Sequence, residues 1–364
     1  MIGISLLTLV PGISGGSETY ARELCRALAR GGELRYRVFL PDIAQDAADG
    51  LPSTIVRRYR ASRTMPGRIA AMSLASVWPG PLRRDLDVDS LAAIHFPLSV
   101  MLPPITRPPA VTTVLDLQHE EHPEFFGRAE LEYRKLVYGW SIRRSRVVVT
   151  ISEHARQTLI ERHGLAPDRV RAIHLAVDHD VFRPGSGPGV RSDYVLYPAR
   201  PWRHKNHARL FEAFVRLRQE RPELRLVLTG EGDFGPLPAG VEARGRVSRD
   251  ELVGLYRGAA ALVFPSLYEG FGMPVVEAMY RGVAVACSNV SAMPEVAGDA
   301  AELFDPTDPR AIAAALTRLL GDPAHRDVLV ARGRERWKAF SWERAAAETL
   351  EVYERALGAS RSSR

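Results

Sequence analysis

The sequence predicts an α/β protein of two doubly wound, parallel-sheet domains, and three observations carry that prediction. Short apolar runs alternate along the chain with longer stretches of helical period, as strands joined by crossover helices do. The alternation is interrupted near the middle by RPGSGPGVRSD, Arg183–Asp193, where two prolines and three glycines in eleven residues forbid regular structure. The length of 364 residues also exceeds the roughly 100–200 residues that one hydrophobic core organises.

Residues 1–182 form the first domain. Its strands fall near Ile2–Leu9, Tyr36–Leu40, Ala92–Phe96, Val111–Leu115, Arg146–Ile151 and Val170–Leu175, and its helices near Gly16–Arg30, Arg68–Ser76, Ala129–Arg144 and Glu153–Arg162. Residues 183–193 are the linker. The second domain, 194–340, has strands near Tyr194–Tyr197, Arg225–Thr229, Ala261–Phe264, Val283–Ala286 and Ala301–Phe304, with helices between them. An amphipathic helix then runs from about Trp342 to Leu357, so 341–364 reads as a terminal helix and tail.

Composition narrows the function. Forty-nine Lys and Arg against 43 Asp and Glu leave a formal charge of +6, too small an excess to argue a nucleic-acid partner. Gly and Pro are dispersed and 46% of residues are hydrophobic, which excludes disorder. Cys25 and Cys287 are the only cysteines, so neither a disulfide framework nor a cysteine zinc site can form, and a reducing compartment is expected. The apolar N-terminal run lacks a preceding positive charge and ends at a Pro/Gly turn, so it reads as a buried strand rather than an export signal. No run approaches the ~18 apolar residues of a membrane span. The expectation is a cytoplasmic protein, soluble or peripheral at the inner face of the membrane.

Two segments carry the chemistry. PSLYEGFGMPVVEAM, Pro265–Met279, leaves a buried strand, turns through Gly270 and Gly272, and enters a helix with Pro274 in its first turn. Such a helix start offers free N–H groups and a positive dipole end to phosphate. Glu269 in the loop and Glu277 in the helix can face one cleft, although a plain strand, turn and helix with two surface glutamates has the same spacing. PARPWRHKNH, Pro198–His207, puts Arg200, Arg203, His204 and Lys205 at another strand end, where cations can clamp a diphosphate or form a solvated basic loop. Only Lys135, Lys205 and Lys338 are lysines, which gives Lys205 weight.

These two segments, with NVSAMPEVAGDAAELFDP at Asn289–Pro306, resemble the retaining glycosyltransferases of GT-B fold, in order and spacing over most of 194–340. The first half resembles them more weakly. The resemblance implies two Rossmann-like domains facing across a cleft, the first binding the acceptor and the second the nucleotide sugar, with the terminal helix crossing back to the first domain. It implies that Arg200 and Lys205 grip the donor diphosphate, that Glu269 lies by the donor sugar, and that Glu277 binds the ribose hydroxyls. Backbone N–H groups of Gly270, Phe271 and Gly272, and the helix start at Met273, then meet sugar or phosphate. An ionised carboxylate accepts from two vicinal hydroxyls, which a sugar nucleotide supplies.

In the first domain, PGISGGSETYARELCRAL turns on Gly12, Gly15 and Gly16 before a helix, without the spacing of a dinucleotide fingerprint. The resemblance brings this loop, with Gly15 and Gly16, toward donor phosphate and acceptor; a glycine turn kept for packing is the other reading. DLQHEEHPEFF, Asp116–Phe126, resembles a mannosyl- and rhamnosyltransferase-like subgroup. Family members often carry His-Asp at this strand end; here Leu115-Asp116 stands there, so His119 is the expected functional imidazole. HEEH is not HExxH, and no metal site is expected. Ser248 to Glu251 reads as a capping box, and TGEGD, with Gly230 and Gly232, as a turn, a passage near the donor base being the other reading. Residues 50–84 carry seven arginines, from Arg57 to Arg84, and no acid, a pattern of solvated faces and also of segments that lie on anionic membranes.

The expected activity is metal-independent, cofactor-free retaining transfer of a hexose, mannose-like, from a nucleoside diphosphate sugar to a hydroxyl of a glycan or a lipid-linked acceptor. Arg200, Lys205 and the helix start at Met273 face the negative charge that develops on the departing diphosphate. No carboxylate pair of glycosidase type is compelled; the resemblance implies front-face attack, with the leaving phosphate oxygen taking the acceptor's proton. The linker at Gly185–Gly189 lets the domains close. A nucleotide-sugar epimerase and a non-catalytic two-domain sugar-binding protein are the rival readings.

Overall fold

The computed structural model describes residues 1–13, 15–31, 34–177 and 193–358. The linker expected at 183–193, apart from Asp193, lies outside the described residues, as does the SRSSR tail. Two compact units are present. One comprises Met1–Leu175 with residues 342–358, and the other is Ala176–Ser341.

The first unit follows the order β1 (Ile2–Ser5), α1 (Gly16–Gly31), β2 (Tyr36–Leu40), β3 (Ser53–Ile55), α2 (Met65–Val77), α3 (Gly80–Asp85), β4 (Ala93–Phe96), β5 (Ala110–Val114), α4 (Gln118–Glu121), α5 (Arg128–Arg144), β6 (Val147–Thr150), α6 (Glu153–His163) and β7 (Val170–Ala172). Its sheet has the order β3-β2-β1-β4-β5-β6-β7, all parallel, with Ile2 opposite Tyr36 on one side and Ala93 on the other. The second unit runs β8 (Tyr194–Pro198), α7 (His207–Glu220), β9 (Arg225–Thr229), β10 (Val241–Ala243), α8 (Arg249–Gly258), β11 (Ala261–Phe264), α9 (Met273–Tyr280), β12 (Val285–Ser288), α10 (Met293–Ala297), β13 (Glu302–Phe304), α11 (Pro309–Gly321) and α12 (Pro323–Arg336). Its sheet, β10-β9-β8-β11-β12-β13, is likewise parallel. The strand order reverses between β1 and β4, and between β8 and β11. At each reversal the two outgoing loops part to opposite faces, opening a crevice at the carboxyl edge.

Strands covered on both faces need unbroken apolar runs, and β4, β6, β11 and β12 are buried at every position. At three expected boundaries that move, a local hydrogen bond explains the shift. β1 ends at Ser5 rather than Leu9 because the Leu9 N–H turns back to the Leu6 carbonyl, 2.9 Å away. β12 starts two residues late because the Val283 N–H closes α9 on the Ala278 carbonyl at 2.9 Å. α2 starts at Met65 because Thr64 caps it, accepting from the Gly67 N–H at 3.3 Å. Ser248 caps α8 by accepting from the Glu251 N–H at 3.2 Å. Among the described residues, the short strands β3 and β10 and the short helices α3 and α4 are additions to the elements expected from the sequence.

The final helix, α13 (Trp342–Leu357), packs on α1 and joins the first unit. Tyr353 hydrogen-bonds His95 Nδ1 at 2.8 Å, His95 Nε2 hydrogen-bonds Thr113 Oγ1 at 2.8 Å, and the Tyr20 hydroxyl lies 3.0 Å from that same oxygen. All four residues are buried, so α13, β4, β5 and α1 share one satisfied polar network inside an apolar core. Trp342 packs near Tyr20, ring centres 6.3 Å apart.

Burial pushes the pKa of His95 down to about 3, and burial likewise brings His207, in the second unit, to about 4. An unfolded histidine titrates near 6.5, so below that pH the unfolded chain binds protons that the folded chain refuses. The stability from these neutral rings is complete above about pH 6.5 and is lost as pH falls toward 4 and 3, by at most ~1.4 kcal/mol per pH unit for each ring. Urea unfolding at a series of pH values should show this decline, and His95→Gln should flatten it for the first unit; parallel curves for the two proteins would refute the assignment.

Candidate active site

The crevice of the second unit gathers both chemistry-bearing segments. The loop 199–206 leaves β8 and the loop 265–272 leaves β11, and the two are bonded together. The Leu267 N–H donates to the His204 carbonyl at 2.7 Å, and Asn206 Nδ2 donates to the carbonyls of Pro265 at 3.0 Å and Pro306 at 2.7 Å. Between them Lys205 Nζ meets Glu269 Oε1 at 2.5 Å, each side chain only 13% exposed. Lys205 is fixed from behind: the Tyr197 hydroxyl donates to its carbonyl at 2.7 Å, and the ammonium lies 5.1 Å from the Phe264 ring centre. The Glu269 N–H is held by Ser291 Oγ at 3.0 Å. Asn206 adopts a left-handed conformation, φ 60°, that ends the loop and opens α7.

Arg200 is half-buried, its guanidinium 5.7 Å from the ring centre of the half-exposed Trp202. Gly230 packs so closely on this loop that a Cβ would stand 2.8 Å from the Arg200 nitrogen and 2.9 Å from the Ala199 carbonyl, and its φ of 121° also requires glycine. The turn Gly270–Phe271–Gly272 buries Phe271 edge-on against Phe340, ring centres 5.4 Å apart. Gly272, at φ 104°, opens α9 at Met273 without a side-chain cap. On α9, Glu277 accepts from the buried Tyr256 hydroxyl at 2.7 Å, which fixes the carboxylate. Burial, the Glu277 charge and that bond all drive the Tyr256 pKa upward, so Tyr256 stays a donor.

The first unit has its own pocket at its β1/β4 crevice, about 280 Å³, lined among others by Thr8, Ser17, Ser99, Asp116, Arg134 and Tyr138. Arg134 pairs with Glu130 at 3.0 Å and lies 4.8 Å from the Phe126 ring centre. The segment after β5 reaches this pocket through Leu115 and Asp116. His119 does not line it: the ring has no exposed surface and stands edge-on to Tyr138 at 4.9 Å and Phe126 at 6.4 Å. Burial lowers its pKa, and neither ring nitrogen has a hydrogen-bond partner among the described residues. Gly15 and Gly16 are exposed at the start of α1, where the Gly15 carbonyl accepts from the N–H of Glu18 at 3.1 Å. Among the described residues no group of three or more His, Cys, Asp or Glu is placed to hold a metal ion.

The structure therefore joins Lys205 to Glu269 directly, keeps Arg200 and the Gly270–Met273 turn at the same sheet edge, and sets Glu277 on its own buried partner. Tyr256, Asn206 and Ser291 escape a sequence reading. A tyrosine on an amphipathic helix looks like core, and an Asn or Ser in a loop looks like a turn; only the fold reveals what each one bonds.

Comparison with known proteins gives one answer for both halves. The family described as Glycosyl transferases group 1 matches residues 178–336, and Glycosyltransferase Family 4 matches residues 14–181. O-antigen chain mannosyltransferase B of Escherichia coli is 32% identical over 265 residues, covering 67% of this chain and 70% of that protein. MMP alpha-(1->4)-mannosyltransferase of Mycolicibacterium hassiacum is 30% identical over 361 residues, covering 91% and 82%. The Anabaena protein HepE, solved with UDP and glucose, is similar in fold, with a TM-score of 0.72 and 17% identity over 96% of this chain and 98% of that one. With its two parallel sheets, its crevice motifs and these relatives, the chain belongs to the group 1 glycosyltransferases and is a glycosyltransferase of GT-B fold.

Proposed function

We propose that the protein transfers a mannose-like hexose, with retention at the anomeric carbon, from a nucleoside diphosphate sugar to a hydroxyl of a glycan or lipid-linked glycan. The observation that carries this reading is the Lys205–Glu269 pair beside the start of α9. A cation, a carboxylate and the positive end of a helix at one sheet edge match the diphosphate and hydroxyl groups of such a donor. The two mannosyltransferases among the relatives support the sugar, and the UDP and glucose in HepE support the donor class.

In this mechanism Arg200, Lys205 and the N–H groups of Gly270–Met273 receive the diphosphate. As the anomeric bond breaks, negative charge grows on the departing phosphate oxygen, and these preoriented donors stabilise it without reorganising. They do the work of a divalent metal, and no cofactor enters. The departing oxygen takes the proton of the acceptor hydroxyl, which adds to the face that the phosphate leaves. Glu269 stands by the sugar, opposing the positive charge that grows on the anomeric carbon. Glu277, fixed by Tyr256, accepts from ribose hydroxyls. The acceptor belongs to the pocket of the first unit, where Asp116, Glu130 and Arg134 supply hydroxyl partners.

The two glutamates should separate kinetically. Ribose does not change during transfer, so Glu277→Gln should chiefly raise the donor KM. Glu269 acts on developing charge, so Glu269→Gln should chiefly lower kcat, on the order of 10²-fold. Steady-state rates with saturating acceptor test this, and a Glu269→Gln enzyme with wild-type kcat would remove Glu269 from the reaction. Excess EDTA should leave the rate unchanged; a loss restored by Mn²⁺ or Mg²⁺ would overturn the cationic-clamp mechanism.

A further inference from the structure

Helix α2 has two dissimilar faces. Arg68, Ile69 and Met72 line the pocket of the first unit. The opposite face, spaced i, i+3 and i+4, carries Leu74 at 66% exposure and Val77 at 85%, continued by Trp78 at 69% at the helix C-cap. Pro66, Ala70 and Ser73 complete that face, so it holds no charged residue. A solvent-facing helix side is ordinarily polar, and a contiguous apolar one marks a contact surface. Nothing among the described residues covers it.

The surroundings say what does. Arg57, Arg60 and Arg63 precede α2 and Arg84 follows it, all exposed. The first acid after them, Asp85, is paired with Arg58 at 3.0 Å, and Arg83 is bonded to the Pro104 carbonyl. An apolar ridge with an indole at its end, flanked in the chain by arginines, has the composition of a segment that inserts shallowly into an anionic bilayer. No described helix is long and apolar enough to cross a membrane, so the contact is interfacial.

We propose that the outer face of α2 docks on an anionic lipid surface, which brings the pocket on its inner face to the level of a lipid-linked acceptor. This rests on the reading that the first-unit pocket receives the acceptor. Leu74, Val77 and Trp78 enter the acyl boundary, while the arginines meet lipid phosphates.

Co-sedimentation of the full chain with vesicles, without donor, tests it. The protein should pellet with phosphatidylcholine–phosphatidylglycerol vesicles and not with phosphatidylcholine alone. The triple change L74S, V77S and W78S should weaken the partition on the order of a hundredfold, and each of R57Q, R60Q, R63Q and R84Q by roughly fivefold. V328S, which alters an exposed valine of the second unit, should change nothing. Thermal unfolding and transfer to a water-soluble acceptor should stay at wild-type level in all of these variants. Equal pelleting with neutral vesicles, no pelleting with either, or unchanged pelleting of the triple variant would overturn the proposal. So would a dimer that the triple variant dissolves, since a second copy would then be the occupant. Because no donor is present, failure here leaves the transfer reading standing, and an inactive enzyme that still pellets leaves this one standing.

Discussion

The site of the second unit depends on one ion pair. Lys205 and Glu269 come from loops that leave different strands, and their 2.5 Å contact closes the strap that Asn206 and the His204 carbonyl begin. Both side chains are largely withdrawn from water, each 13% exposed, so each carries the other's charge compensation. A site held this way is preorganised. In the proposed mechanism the pair also provides an exchange, since an ammonium neutralised by a carboxylate can turn part of its hydrogen bonding to an arriving phosphate without ever being bare.

The parallel sheet explains why those loops meet. Strand order reverses between β8 and β11, so the segments that follow them open the crevice of the second unit. The first unit repeats the arrangement at β1 and β4, and its pocket forms there. α13 returns to that unit through buried hydrogen bonds rather than apolar contact alone. Tyr353, His95 and Thr113 satisfy one another only in a single register, which gives the helix a defined seat.

Much of this was legible in the chain. Continuous apolar runs mark strands buried on both faces, so the parallel α/β class follows from them, and the Pro274 and Gly272 pattern marks the start of α9 in its right place. Lys205, Glu269, Arg200 and Glu277 stand out by residue type and motif. What the chain conceals is pairing. Nothing in the spacing of residues 205 and 269 says that their charges touch, because contact between distant loops is created by strand order. Tyr256 is hidden for the same reason. His119, the expected functional imidazole, sits where the spacing could not place it: the turn of α4 sets it inward against Tyr138, while Asp116 lines the pocket. The edge strands β3 and β10, with partly exposed residues and no apolar run, give no strand pattern, whereas β7 and β13, equally short, lie in apolar runs that do.

The proposed mechanism shares Lys205 between Glu269 and the donor diphosphate. Calorimetric titration of nucleoside diphosphate, without sugar, tests it most directly. Lys205→Ala should weaken binding by roughly tenfold to a hundredfold, the value of a charge-assisted hydrogen bond of about 1.5–3 kcal/mol, and Glu269→Gln should bind at least as tightly as the wild type because a competing anion is gone. Wild-type affinity in Lys205→Ala would contradict it.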